Sequence, residues 1–119
     1  MNTTFYDKSG KAVAYTEDAE HIFTFTGNAA GFINKDSAYS YSGKHLGWFE
    51  NGWIRDHSGL CVFFTEDATG SGPVKPVKSV KPVKSVKQVK PVKGVKQVRP
   101  VKPIKSLGWS ELSRVQFFG

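Results

Sequence analysis

A chain of 119 residues with a net charge of +7 has room for one compact domain, and its single cysteine, Cys61, excludes an internal disulfide and a cysteine-based zinc framework. No stretch approaches the roughly 20 apolar residues of a membrane span, and the N-terminus lacks the basic-then-apolar pattern of a secretory signal, so a soluble, unprocessed, cytoplasmic chain is expected. The charge is divided along the chain. Residues 1–72 hold five basic and nine acidic side chains, residues 73–106 hold ten lysines, Arg99 and no acid, and Glu111 and Arg114 cancel in residues 107–119. These are the three expected units: an acidic head, a basic arm and an aromatic C-terminal segment.

The head repeats itself. Glycines 10, 27, 43 and 59 stand in matching surroundings, in the units FYDKSGKAVAYTEDA, IFTFTGNAAGFINKD, AYSYSGKHLGWFENG and IRDHSGLCVFFTEDA. Asp7, Thr24, Ser40 and Asp56 lie three residues before these glycines, as the first residue of a type I turn should, and each glycine supplies the left-handed residue of a G1 bulge. Each unit is therefore a β-hairpin, pairing Asp7 with Lys11, Tyr6 with Ala12 and Phe5 with Val13 in the first.

Strand alternation then places Phe5, Val13 and Tyr15, Ile22, Ala30 and Phe32, Ala38, Leu46 and Trp48, and Ile54, Val62 and Phe64 on one face, the expected core. The other face carries Tyr6, Phe23, Tyr39 and Arg55 opposite Ala12, Ala29, His45 and Cys61, with Ala14, Gly31, Gly47 and Phe63 beyond, and is expected to be half exposed. Asn51-Gly52 is the clearest tight turn between hairpins. Four such hairpins predict an all-β fold that closes radially and loses its exposed edges, a shallow barrel of pseudo-four-fold symmetry.

From Val74 to Ser106 the chain is eleven triplets of Val or Ile, then Lys or Arg, then Pro, Ser, Gln or Gly. Prolines 76, 82, 91, 100 and 103 forbid a continuous helix, and period three suits polyproline II, with the residue types on three stripes. The candidate binding residues are Lys75, Lys78, Lys81, Lys84, Lys87, Lys90, Lys93, Lys96, Arg99, Lys102 and Lys105. Three readings stand side by side: contact with an anionic membrane surface or other polyanion, a solvated spacer, or docking on the acidic head. With no aromatic residue to stack on bases, the arm is not expected to read a nucleic-acid sequence.

The last segment, LGWSELSRVQFFG, is too short for a stable free helix, although Ser110 is a candidate cap for one carrying Leu112, Val115 and Phe118 on a face. Trp109, Leu112, Phe117 and Phe118 are its candidate docking residues, on its own barrel, a neighbouring one, a protein partner or a membrane interface.

Together the SG/TG hairpin repeat, the SGKHLGWFENGWIRDHSG stretch, the Val-Lys-x arm and the WSELSRVQFFG ending resemble the four-fold beta-flower proteins over nearly the whole chain. The resemblance implies a shallow symmetric barrel with an apolar centre, loosely similar to the tubby and scramblase-like barrels that associate with membranes, and it implies no reaction.

Catalytic chemistry finds little support. The hairpin register puts His57 in a loop and Cys61 opposite Arg55, without a third group to orient a nucleophile and base. His21, His45 and His57 have no metal-ligand spacing, and each glycine is explained by a turn rather than by a phosphate loop. No enzyme, metal or cofactor is expected. If the barrel closes, Lys8, Phe25, Tyr41 and His57 gather at a hairpin-tip rim, and Glu17, Asp18, Asp36, Glu50, Glu66 and Asp67 at the opposite one. The functional expectation is a non-enzymatic binding module, peripheral at an anionic membrane or bound to a polyanion through its arm. The alternative is a structural or adaptor protein that oligomerises or recruits a partner through its C-terminal segment.

Overall fold

The computed structural model describes residues 2–119. Eight antiparallel strands, β1 (Thr3–Tyr6), β2 (Ala12–Thr16), β3 (His21–Thr24), β4 (Ala29–Asn34), β5 (Ser37–Tyr39), β6 (His45–Glu50), β7 (Trp53–Arg55) and β8 (Cys61–Phe64), form a closed barrel in sequence order. The turns are those the spacing predicts. The amides of Gly10, Gly27, Gly43 and Gly59 donate to the carbonyls of Asp7, Thr24, Ser40 and Asp56 at 2.9–3.1 Å, and all four glycines have φ between 84° and 96°. Asn51 and Gly52, at φ 53° and 81°, form the left-handed pair of a tight hairpin. The circle closes where Tyr6 of β1 pairs with Phe64 of β8.

The register corrects the expected core face. Tyr6 pairs with Ala12 as the turn dictates, but Phe5 pairs with Ala14, because Val13 is an extra residue bulged out of β2. The same shift occurs in the other three hairpins. One inserted residue reverses every later side chain on the strand. Tyr15, Phe32, Trp48 and Phe64 therefore face outward, while Ala14, Gly31, Gly47 and Phe63 face the barrel centre. The inner cluster is built on Phe5, Ile22, Ala38 and Ile54, one from each hairpin and all fully buried, with Ala14 and Phe63.

The last residues fill the barrel mouth at the hairpin-tip end. Helix α1 (Arg114–Phe118) starts at Ser113, whose hydroxyl accepts from the Gln116 amide while the Gln116 side chain accepts from the Ser113 amide, so Ser113 and not Ser110 is the cap. Phe117 is 3% exposed and meets Phe63 edge-on at 5.6 Å, and Phe118 stacks on Phe63 at the same separation. The two rings find room because repeats two and three carry Gly31 and Gly47 where the fourth carries Phe63. The apolar centre is thus occupied by the chain's own C-terminus.

Candidate functional site

The outer wall is the most elaborated surface. Outward-facing rings pair across strands: Tyr6 with Phe64 at 5.3 Å, Tyr15 with Phe23 at 6.2 Å and Phe32 with Tyr39 at 5.4 Å, each pair stacked. In the fourth position Trp48 pairs with Arg55. This girdle is buried rather than half exposed, because the arm lies over it. Among the arm residues, the amides of Ser79, Gln88, Gln97 and Ser106 donate to the carbonyls of Gly10, Gly27, Gly43 and Gly59 at 2.8–3.1 Å. The donors are nine residues apart and the acceptors one hairpin apart, so three triplets advance the arm by one hairpin. Ser85 and Gly94 donate to Phe25 and Tyr41, whereas Pro76 and Pro103 stand at the corresponding places before the first and last donors and have no amide to give. A Cβ at Gly10, Gly27, Gly43 or Gly59 would collide with the carbonyl of Val77, Val86, Val95 or Ile104, so these glycines serve both the turn and the close passage of the arm.

The nine-residue period sorts the arm's cations into three series. In one, Lys84 and Lys93 sit over the rings of Tyr15 and Phe32 at 4.4 and 4.8 Å. In the next, Lys78 and Lys87 sit over Tyr6 and Phe23 at 5.8 and 5.4 Å. The third series, Lys81, Lys90 and Arg99, reaches Glu66, Asp18 and Asp36 at the acidic rim. Further pairs join Lys84 and Lys87 to Glu17, Lys93 to Glu20, and Lys102 to Asp36 at 2.5 Å and Glu50 at 2.8 Å. Lys75 donates to the Ala68 carbonyl at 2.8 Å. Lys96 and Lys105 make no salt bridge among the described residues. The carboxyls respond as expected: hydrogen bonds from Lys87 and Lys84 lower the pKa of Glu17, one from Lys93 lowers that of Glu20, and one from Lys102 lowers that of Asp36.

With the cations turned to the barrel, the apolar stripe faces away. The ten arm valines and Ile104 are 88–95% exposed. Of the three courses the sequence leaves open for the arm, the structure has it docked around its own head.

Both ends of the circuit meet at Arg55, which is 4% exposed. Its guanidinium donates to the carbonyls of Gly59 at 2.6 Å and Ser106 at 2.8 Å, and to that of Ser71, so one side chain clasps the residues entering and leaving the arm. The chain then makes a parallel bridge from Trp109 to Cys61, and Trp109 packs edge-on against Trp53 and Phe64 before the segment crosses to the mouth. Phe117 is buried, Trp109 and Phe118 are partly buried, and Leu112 remains 38% exposed.

The hairpin-tip rim does not assemble. Phe25 turns down onto Tyr15, Tyr41 onto Phe32 and His57 onto Trp48, with centroids 5.1, 5.6 and 5.7 Å apart; Phe25 is buried and Tyr41 half-buried, while Lys8 and His57 stay exposed. Each of these three packs on the girdle ring of the preceding repeat instead of meeting the other tip residues. The thiol of Cys61 is fully buried and pushed up to about 11 by that burial. No described helix is long and apolar enough to cross a membrane.

A family model described as 4-fold beta flower protein matches residues 3–118. The chain belongs to the 4-fold beta flower family. The match spans barrel, arm and C-terminal segment alike, in agreement with their packing as one body. No curated protein and no solved structure matches the chain.

One histidine pair is peculiar to the third and fourth hairpins. His45 is 1% exposed, its Nδ1 lies 2.9 Å from His57 Nε2 and its Nε2 lies 3.1 Å from Ser37 Oγ. Burial, assisted by His57, lowers its pKa to about 4. A histidine lowered on folding takes up its proton more readily in the unfolded chain, so stability is full above about pH 6.5 and declines as pH falls towards the folded value. Unfolding in urea is expected to require about 2 kcal/mol less at about pH 5 than at about pH 7.5. His45→Asn should flatten that difference, whereas an unchanged slope would exclude His45 as its source.

Proposed function

We propose that this beta-flower protein is a non-enzymatic binding module, with the barrel as carrier and the wrapped arm as the element that contacts an anionic surface, at the periphery of a cytoplasmic membrane. The arm's eleven cations exceed the head's net −4, so the wrapped particle keeps a surplus of positive charge at its circumference. Their ends are only partly covered, the bridging lysines keeping 37–53% side-chain exposure. As a polyproline II strand rising about 3.1 Å per residue, the triplets from Val74 to Ser106 cover about 100 Å, close to the circumference of a disc 36 Å across. The arm's length therefore fits one circuit, which spreads its charge over the whole edge.

The carrying observation is this combination of surplus cations and exposed apolar groups on one edge. Binding of the full chain to acidic vesicles and to polyphosphate should weaken as salt rises. Absence of binding to either at low salt would reject the reading. The adaptor alternative draws on the exposure of Val115, 62%, and Leu112 beside the docked Phe117. It predicts self-association in solution, and a monomer mass that persists with concentration would count against oligomerisation.

A further inference from the structure

We infer that the contact element is one sector of the belt, Val98 to Leu107, and that its partner is the surface of an acidic lipid bilayer. This rests on the anionic-surface reading and adds the partner and the place. Val98, Val101 and Ile104 are 90–94% exposed and Leu107 is 67% exposed, at three-residue spacing, so the valine stripe ends here in its two largest aliphatic side chains. Lys96 stands just before this sector and Lys105 within it; among the described residues neither ammonium group has a carboxylate partner, and the third arm cation without one, Lys75, donates to the Ala68 carbonyl instead. Pro100 and Pro103 stiffen the stretch, and the Arg55 clasp holds its end at the Ser106 carbonyl.

Apolar groups and free cations side by side match a bilayer interface, where aliphatic side chains enter the acyl boundary and ammonium groups meet phosphates. A soluble polyanion would use the lysines and leave the aliphatic row in water. A second copy fits poorly: two convex edges meet over a short arc, well below the roughly 1,200 Å² of a stable interface, and both carry positive charge. The belt stays wrapped in this contact, since lifting it would bare the girdle rings and the acidic rim.

The test uses the full chain with phosphatidylcholine vesicles, with and without phosphatidylserine, and with polyphosphate. One variant carries Val98→Ser, Val101→Ser, Ile104→Ser and Leu107→Ser. The control carries Val77→Ser, Val80→Ser, Val83→Ser and Val86→Ser, equally exposed but on the other side of the ring. Because none of these side chains is buried, both variants should keep the parent's thermal transition, and hydrogen exchange at Ser79 and Ser106 checks that the belt is still wrapped. The sector variant should lose about tenfold in affinity for acidic vesicles and the control less than about twofold, with polyphosphate binding unchanged in both. Equal losses, or none in the sector variant, would overturn the inference while leaving the anionic-surface reading intact. Binding of the parent to polyphosphate but not to acidic vesicles would do the same, and binding to neither would remove both.

Discussion

A chain ending at Gly72 should fail to give a cooperative thermal transition and should aggregate. It retains every strand of the barrel, and strand content alone would suggest an independent domain. Two losses argue otherwise. Without Phe117 and Phe118 the mouth is empty at the level of Gly31, Gly47 and Phe63, and a buried phenylalanine removed from a core typically costs about 3–5 kcal/mol. Without the arm, the girdle rings Tyr6, Tyr15, Phe23, Phe32, Tyr39 and Phe64, each at most 3% exposed in the whole chain, lose the lysine stems and backbone that cover them. A domain of under about 80 residues has little reserve against losses of that size. Circular dichroism on heating, with light scattering, decides the matter. A soluble truncated chain with a sharp transition would show that arm and tail are accessories to a self-sufficient barrel.

Arg55→Met should destabilise the protein by about 2–4 kcal/mol and loosen both ends of the arm. The methionine fills much of the space of the arginine stem but leaves the carbonyls of Gly59, Ser71 and Ser106 without their charged donor. Arg55→Lys should recover less than half of the loss, because a single ammonium does not reproduce the fork that reaches three oxygens. The specific readout is amide exchange at Ser106 relative to Ser79. Both belong to the same nine-residue ladder, but only the former lies at the clasp. A midpoint in urea shifted by less than the equivalent of about 0.5 kcal/mol, with Ser106 still protected, would show that the ends are held by other contacts.

The two results bear on the contact surface, because the sector from Val98 to Leu107 ends at the clasp. A belt loosened by Arg55→Met should expose its last triplets to proteolysis before its first. The carboxylates facing the arm act at low pH, where protonation of Glu17, Glu20 and Asp36 removes their hold on the lysines. Since folding lowers their pKa values, their contribution is complete above the ordinary carboxylate range and is lost as pH falls through the lowered values. That window lies below the one set by His45.

Local chemistry in the sequence was enough for the hairpins, their turns and the closure of the sheet. Gly10, Gly27, Gly43 and Gly59 each follow an Asp, Thr or Ser at a fixed distance, and that pattern depends on no contact beyond a few residues. The division of charge into acidic head, basic arm and neutral aromatic end was equally plain. What local rules did not decide was the face of the second strand in each hairpin. A bulge at Val13 sends Ala14 in and Tyr15 out, a choice made by the volume left inside a small closed barrel that must also admit Phe117 and Phe118. The arm's course was also beyond the triplet period. Its nine-residue order is visible in Pro82, Pro91 and Pro100 and in Ser79, Gln88, Gln97 and Ser106, but acquires meaning only against the hairpin spacing of the closed barrel. Period three determined that lysines and valines separate into stripes. Only the tertiary structure, by offering aromatic faces and carboxylates on a curved wall, decided that the lysines turn inward and the valines outward.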